Sequence, residues 1–131
     1  MFKIHKKFEK TTYYITDLKL CQIRLQDNAK FPWIMLIPKR NKVSQILDLN
    51  RKDQIRLMDE IQYCSKIMKK NFPCDNLNVE KVGNIVPQLH IHIVPRHKKD
   101  PSWPLSIWVV KGKPYSKFAL SKMIIKLQSI I

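Results

Sequence analysis

Three polar side chains recur at alternate positions in one apolar stretch: Gln88, His90 and His92 within Gln88-Leu89-His90-Ile91-His92-Ile93-Val94. The alternation, closed by Pro95, predicts a β-strand, on which every second side chain shares a face. Gln88, His90 and His92 then line one face, while Leu89, Ile91, Ile93 and Val94 point mostly to the other, the core. Imidazole adds little to packing, so the repeat asks for a reason. Three readings compete. The first is a polar strand face with solvated or hydrogen-bonded histidines. In the second, the two imidazoles chelate zinc or iron with a third ligand. His97, Asp100 and Glu80 are candidates for that ligand, and none falls at a familiar spacing. In the third, a neutral imidazole attacks phosphorus while neighbouring donors hold the phosphate oxygens.

Such a strand must be held by others. Leu20-Cys21-Gln22-Ile23-Arg24-Leu25-Gln26 alternates apolar and polar, as a half-buried strand does. Asp27-Asn28-Ala29-Lys30 reads as a turn. Trp33-Ile34-Met35-Leu36-Ile37, stopped by Pro38, reads as the returning strand of a hairpin. The clearest helix follows, up to Asn71-Phe72-Pro73. Asn50 caps it, Asp53 stands in for the acid of a capping box, and Ile55, Met58, Ile61, Ile67 and Met68 recur at helical spacing. Its methionines and Tyr63 are read as core. Leu77–Glu80 reads as a third short strand, Gly83-Asn84 as a turn and Asp100-Pro101-Ser102-Trp103-Pro104 as a loop. Ser116 to Ile131 reads as a closing amphipathic helix. Strand, strand, helix, strand, strand with short connections implies an α+β fold with a mainly antiparallel sheet.

Composition narrows the function classes. The 131 residues suit one domain, 1–131, and 44% of them are hydrophobic, enough for a packed core. No apolar run is long enough to span a bilayer and no secretory leader is visible, so a cytoplasmic location is expected. Cys21, Cys64 and Cys74 form no CxxC and are read as reduced thiols. Two glycines, Gly83 and Gly112, leave no glycine-rich phosphate loop. The net charge of +15 is carried by lysines spread along the chain. It would draw in an anionic substrate, but without a charge block or an RNP-like motif it makes nucleic acid an unfavoured partner.

With these residues in place, the chain resembles the histidine-triad (HIT) family. The family signature is His-φ-His-φ-His-φ-φ, with φ apolar, and only its first histidine departs here, replaced by Gln88. Leu36-Ile37-Pro38-Lys39 resembles the family's strand end, Val94-Pro95-Arg96 the segment after the triad, and Asn78 its upstream strand asparagine. A bacterial branch, HIT-like or diadenosine tetraphosphate hydrolase-like, is similar in Phe31-Pro32-Trp33, in Val86-Pro87-Gln88-Leu89-His90 and in Asp100-Pro101-Ser102-Trp103-Pro104. The arrangement covers roughly residues 12 to 110, with the closing helix at about 116–131.

The resemblance implies a HIT-like fold, with about five antiparallel strands and two or more helices. It implies a nucleotide hydrolase or nucleotidyl transferase, possibly of the diadenosine tetraphosphate hydrolase type, acting at an α-phosphate through a covalent nucleotidyl-histidine. His90 would be the nucleophile and His92 would contact phosphate or leaving-group oxygens. Gln88 would keep the hydrogen bonding of the lost histidine but could carry no proton at neutral pH. Asp27 or Asn28 would bind ribose hydroxyls, Asn78 would donate on the phosphate side and Asn84 would serve the leaving group. Phe31 would wall the base, and Trp33 either the base or the core. Trp103 and Trp108 would cover the active-site edge, the core or a dimer interface. Arg96 could pair with phosphate, but a solvated place or an ion pair is the favoured reading, and His5 and His97 would lie at the surface. A homodimer is expected. No protein-held metal or other cofactor is expected, though Mg²⁺ could accompany a polyphosphate. The alternatives are a non-catalytic nucleotide-binding or regulatory module, a metal-dependent enzyme using His90 and His92, and a nucleic-acid binder.

Overall fold

The computed structural model describes residues 1–131. A short helix α1 (Lys6–Thr11) leads into β1 (Thr12–Asp17), then β2 (Cys21–Gln26) and β3 (Ile34–Pro38). The long helix α2 (Arg51–Asn71) follows, then β4 (Asn76–Glu80), β5 (Ile91–Arg96) and the closing helix α3 (Lys117–Ile130). All strand pairings are antiparallel, in the order β1-β2-β3-β5-β4. This is the expected α+β architecture, and β2–β3 is the expected hairpin.

Burial explains the sheet's two faces. Cys21, Ile23 and Leu25 of β2 are buried and alternate with half-buried polar residues. The central strands β3 and β5 are buried throughout, because both faces are covered. Ile34, Leu36, Ile91 and Ile93 point to one face and join Leu57, Cys64 and Met68 of α2 and Leu127 of α3 in the main core. Met35, Ile37 and Val94 point to the other face, into a smaller cluster with Phe8, Phe31, Trp33, Val86 and Ile107. His92 pairs with Met35 in register and belongs to this second face. Val94 was expected opposite the histidines. It lies on their side instead, since alternation puts residue 94 with residue 92.

Three local expectations are corrected. The histidine strand begins at Ile91 rather than Gln88, because the Leu89 N–H leaves the sheet for the Val43 carbonyl. It also runs through Pro95 to Arg96. The pairs with β3 end at Ile93, so Pro95 has a neighbour only in β4, where an edge-type proline is tolerated. In α2 the Asn50 side chain does cap, accepting from the Asp53 N–H at 2.8 Å. The Asp53 carboxylate takes the Arg40 guanidinium instead of closing a capping box. The buried stripe of α2 is Asp53, Leu57, Glu60, Cys64 and Met68, so Ile55, Met58 and Tyr63 are exposed rather than core. Glu60 can be buried because its two oxygens accept the N–H groups of Leu20 and Cys21.

Candidate active site

His90 and His92 sit where β5 emerges beside a cavity of about 290 Å³ that both rings line. Their ring centroids are 4.8 Å apart, edge to face. His90 is held by its Nδ1, 2.7 Å from the Gln88 carbonyl oxygen. A carbonyl only accepts, so Nδ1 carries the proton and the lone pair of the neutral ring is on Nε2. His92 is held the opposite way. Its Nδ1 accepts from the Trp33 indole N–H at 3.0 Å, so its proton is on Nε2. Neither Nε2 has a partner within the protein. Neither is sealed from solvent, because Ser65 Oγ is the one buried side-chain polar atom without a hydrogen bond. The site therefore presents a bare nitrogen and an N–H donor side by side.

Burial keeps both rings neutral. Desolvation is the largest cause lowering the His90 pKa from its ordinary value, and nearby Lys81 adds to it against the pull of the Gln88 carbonyl. For His92, desolvation and then the neighbouring His90 push it down to about 3. Phe8 of α1 packs edge-on against His90 at 4.7 Å, and Trp108 packs against His92 at 5.2 Å. Met35, Val82, Ile85 and Val86 complete apolar walls, and Lys7, Thr11, Gln26 and Asn84 supply polar groups.

No three His, Cys, Asp or Glu side chains are grouped so as to hold a metal ion. The third ligands considered from the sequence are engaged elsewhere: Asp100 with Arg96, Glu80 with the Trp108 indole, and His97 exposed on a loop.

The HIT domain family model matches residues 7–99. The chain belongs to the HIT family. This is a superfamily of nucleotide-binding proteins and hydrolases. Histidine triad proteins of known structure from Bradyrhizobium japonicum and Marinobacter aquaeolei are 34% and 32% identical to it, each with a TM-score of 0.95. They align over 99% of this chain and over 98% and 96% of their own. A bis(5'-adenosyl)-triphosphatase of Saccharomyces cerevisiae is 29% identical over 70 residues, 50% of this chain and 34% of the enzyme. The match thus spans about a third of the length of that curated relative. No helix is long and apolar enough to cross a membrane.

Against the HIT pattern, the structure brings His90, His92, Asn84 and Trp108 to one cavity, whose lining does not include Gln88, Asp27, Asn28, Phe31 or Asn78. The Gln88 side chain does not line the cavity. Its Oε1 accepts from the His5 N–H and its Nε2 donates to the Lys3 carbonyl, both at 2.9 Å. It clasps the N-terminal segment whose helix carries Lys7, Phe8 and Thr11 to the cavity. Only its backbone carbonyl serves the triad. Asp27 accepts from the Tyr115 N–H and the Tyr13 hydroxyl. Asn28, buried, accepts from the N–H groups of Lys30 and Lys113. Through Tyr115 and Lys113 both help pin the segment before α3, and the adjacent Gln26 is the one that lines the cavity. Phe31 is 1% exposed and lies under the Arg96 guanidinium, a core position with no face for a base.

Asn78 shares the histidine face but pairs with Val94, one step further along the sheet. Its Oδ1 accepts from Arg96. Arg96 is not solvated. It is 2% exposed and bidentate to Asp100 at 2.6 and 3.1 Å, with further bonds to Ser102 Oγ and the Leu105 carbonyl. Burial alone would raise the Asp100 pKa, but Arg96 and the N–H groups of Ser102, Trp103 and His97 hold it at about 2. Trp108 covers the active-site edge, whereas Trp103 stacks near Arg96. Sequence reasoning missed Lys7, Phe8 and Thr11, since one aromatic in a lysine-rich stretch gives no periodic signal. It also left the Trp33–His92 bond unseen, although the types of both residues permit it.

Proposed function

We propose that the chain is a nucleotide hydrolase or nucleotidyl transferase acting at the α-phosphate of a nucleoside phosphate derivative or dinucleoside polyphosphate. His90 Nε2 attacks the α-phosphorus, an N–P bond forms, and the P–O bond to the leaving group breaks with its electron pair staying on oxygen. Water or another acceptor then attacks the same phosphorus, giving its proton to solvent, and the N–P pair returns to His90. The observation that carries this reading is the 2.7 Å bond from His90 Nδ1 to the Gln88 carbonyl, which leaves the lone pair on the nitrogen beside the cavity. His92 Nε2–H and Asn84 are donors for the phosphoryl or leaving-group oxygens, and Lys7 at the cavity offsets phosphate charge. The apolar wall of Val82, Ile85 and Trp108 suits an aromatic base. The adenosyl polyphosphate named in the yeast relative fits this class. Mg²⁺, where needed, would arrive on the polyphosphate. We place the protein in a reducing compartment, the cytoplasm, on its three unpaired thiols. We take it as a homodimer whose partner covers the free edge of β4.

Chromatography of reactions with diadenosine triphosphate and diadenosine tetraphosphate tests this. The expected result is AMP release by the wild type and a fall of about 10³-fold or more in His90→Ala, the cost of losing a nucleophile. Equal turnover in His90→Ala would remove His90 as the nucleophile, and binding of both nucleotides by the wild type without cleavage would favour the module that binds and does not cut.

A further inference from the structure

His92 carries the inference that goes beyond this reading, and its environment can be built from the bonds around it. The indole Nε1–H of Trp33 is a donor with no lone pair to offer. It meets His92 Nδ1 at 3.0 Å, with Trp33 3% exposed and His92 3% exposed. Nδ1 must then be bare, and a second proton could enter only there, against the indole hydrogen and away from water. The ring plane is fixed by edge contacts on three sides, with Trp33, His90 and Trp108 at 5.5, 4.8 and 5.2 Å. No carboxylate is hydrogen-bonded to the ring, whose one bond within the protein is to Trp33. Glu80, paired with His92 across β4 and β5, spends its Oε1 on the Trp108 indole N–H at 3.1 Å. The charged side chains that line or neighbour the site from α1 and from the loop before β5, Lys7 and Lys81, are themselves positive.

We propose that Trp33 is a positioning residue that locks His92 as a neutral Nε2–H donor, and that the site in consequence cleaves substrates whose leaving group departs as an anion. The proposal rests on His90 being the nucleophile. When the N–P bond forms and the P–O bond breaks, His92 Nε2–H donates a hydrogen bond to the departing oxygen. It keeps its proton, because surrendering it would leave an imidazolate. Gln88, clasped to the N-terminal segment, supplies no proton either. A phosphate, polyphosphate or carboxylate leaves without one. An amine or alkyl alcohol needs one, and here must take it from water. The favoured substrates are therefore phosphoric and mixed acyl anhydrides of a nucleotide, and the disfavoured ones are phosphoramidates and alkyl esters.

Long-range ¹H–¹⁵N spectra of the ¹⁵N-labelled wild type read the tautomer directly. The expected result is His92 protonated on Nε2 and unchanged between about pH 5 and 8, where a free imidazole titrates. A ¹⁵N–¹⁵N coupling to Trp33 Nε1 across the hydrogen bond should accompany it. His92 protonated on Nδ1, or titrating over that range, overturns the proposal. In Trp33→Phe, His92 should begin to titrate. The wild type should prefer p-nitrophenyl-AMP over adenosine phosphoramidate by about 10²-fold or more, the usual worth of a missing general acid, and the variant should narrow that gap. An unchanged tautomer and an unchanged gap in a folded variant also overturn it. Should the variant not fold, the wild-type spectrum decides. Full turnover by His90→Ala would sink the nucleophile while leaving the locked tautomer standing, so the two failures are distinguishable.

Discussion

With Nδ1 bonded to the Gln88 carbonyl, His90 has one site left to protonate, and protonating it removes the nucleophile. Burial lowers the pKa of this ring below the ordinary value of about 6.5, so it stays neutral to lower pH than a free imidazole. The acid limb of kcat/KM should accordingly fall below about pH 6.5. A limb at or above that value in a pH–rate profile would contradict the geometry. Arg96 makes a second residue-scale prediction. Its guanidinium and the Asp100 carboxylate are 2% and 7% exposed, so removing one charge strands the other. Arg96→Met should cost about 3–5 kcal/mol in urea unfolding, the range for breaking a buried pair. A loss under about 1 kcal/mol, as for a surface pair, would refute it.

At the scale of elements, Gln88 does the work of a clasp. Gln88→Ala removes both bonds to Lys3 and His5. Amide exchange in residues 3–11 should then accelerate while exchange in β3 and β5 is unchanged. Unaltered exchange near the N-terminus would show that Phe8 alone docks the segment. The same element explains what was legible in the sequence. β2, β3, α2 and α3 could be read because their apolar periods, Asn50 and Ser116 are local signals. α1 is six residues long and mostly lysine, and β1 is an edge strand with an irregular register between Tyr14 and Thr16 that breaks its alternation. The start of β5 was misplaced because long-range partners, Val43 for Leu89 and Lys3 with His5 for Gln88, override the local pattern. His90 and His92 were legible as a pair because strand alternation puts them on one side. The partners of Asp27, Asn28 and Phe31 were not, because Tyr115, Lys113 and Arg96 lie far from them in the chain.

For the whole molecule, protonation links the site to stability. His90 and His92 have depressed pKa values in the fold, with His92 near 3, so the unfolded chain binds more protons once the pH drops through about 6.5. Their neutral burial is fully tolerated above that pH and increasingly destabilising from there down towards 3, and Asp100 adds the same trend as the pH approaches 2. Urea unfolding at pH 7 and pH 4.5 should show the larger stability at pH 7, and the reverse order would contradict it. The free edge of β4 and the exposed Val79, Leu105 and Val109 predict a dimer in sedimentation. A monomer at high protein concentration would exclude one. The central claim, covalent catalysis through His90, is tested most directly by intact-protein mass after brief mixing with diadenosine triphosphate and a quench that avoids acid. The expected result is an AMP-sized adduct on the wild type that decays as AMP is released, and none on His90→Ala. AMP release with no adduct, or the same adduct on His90→Ala, would contradict it.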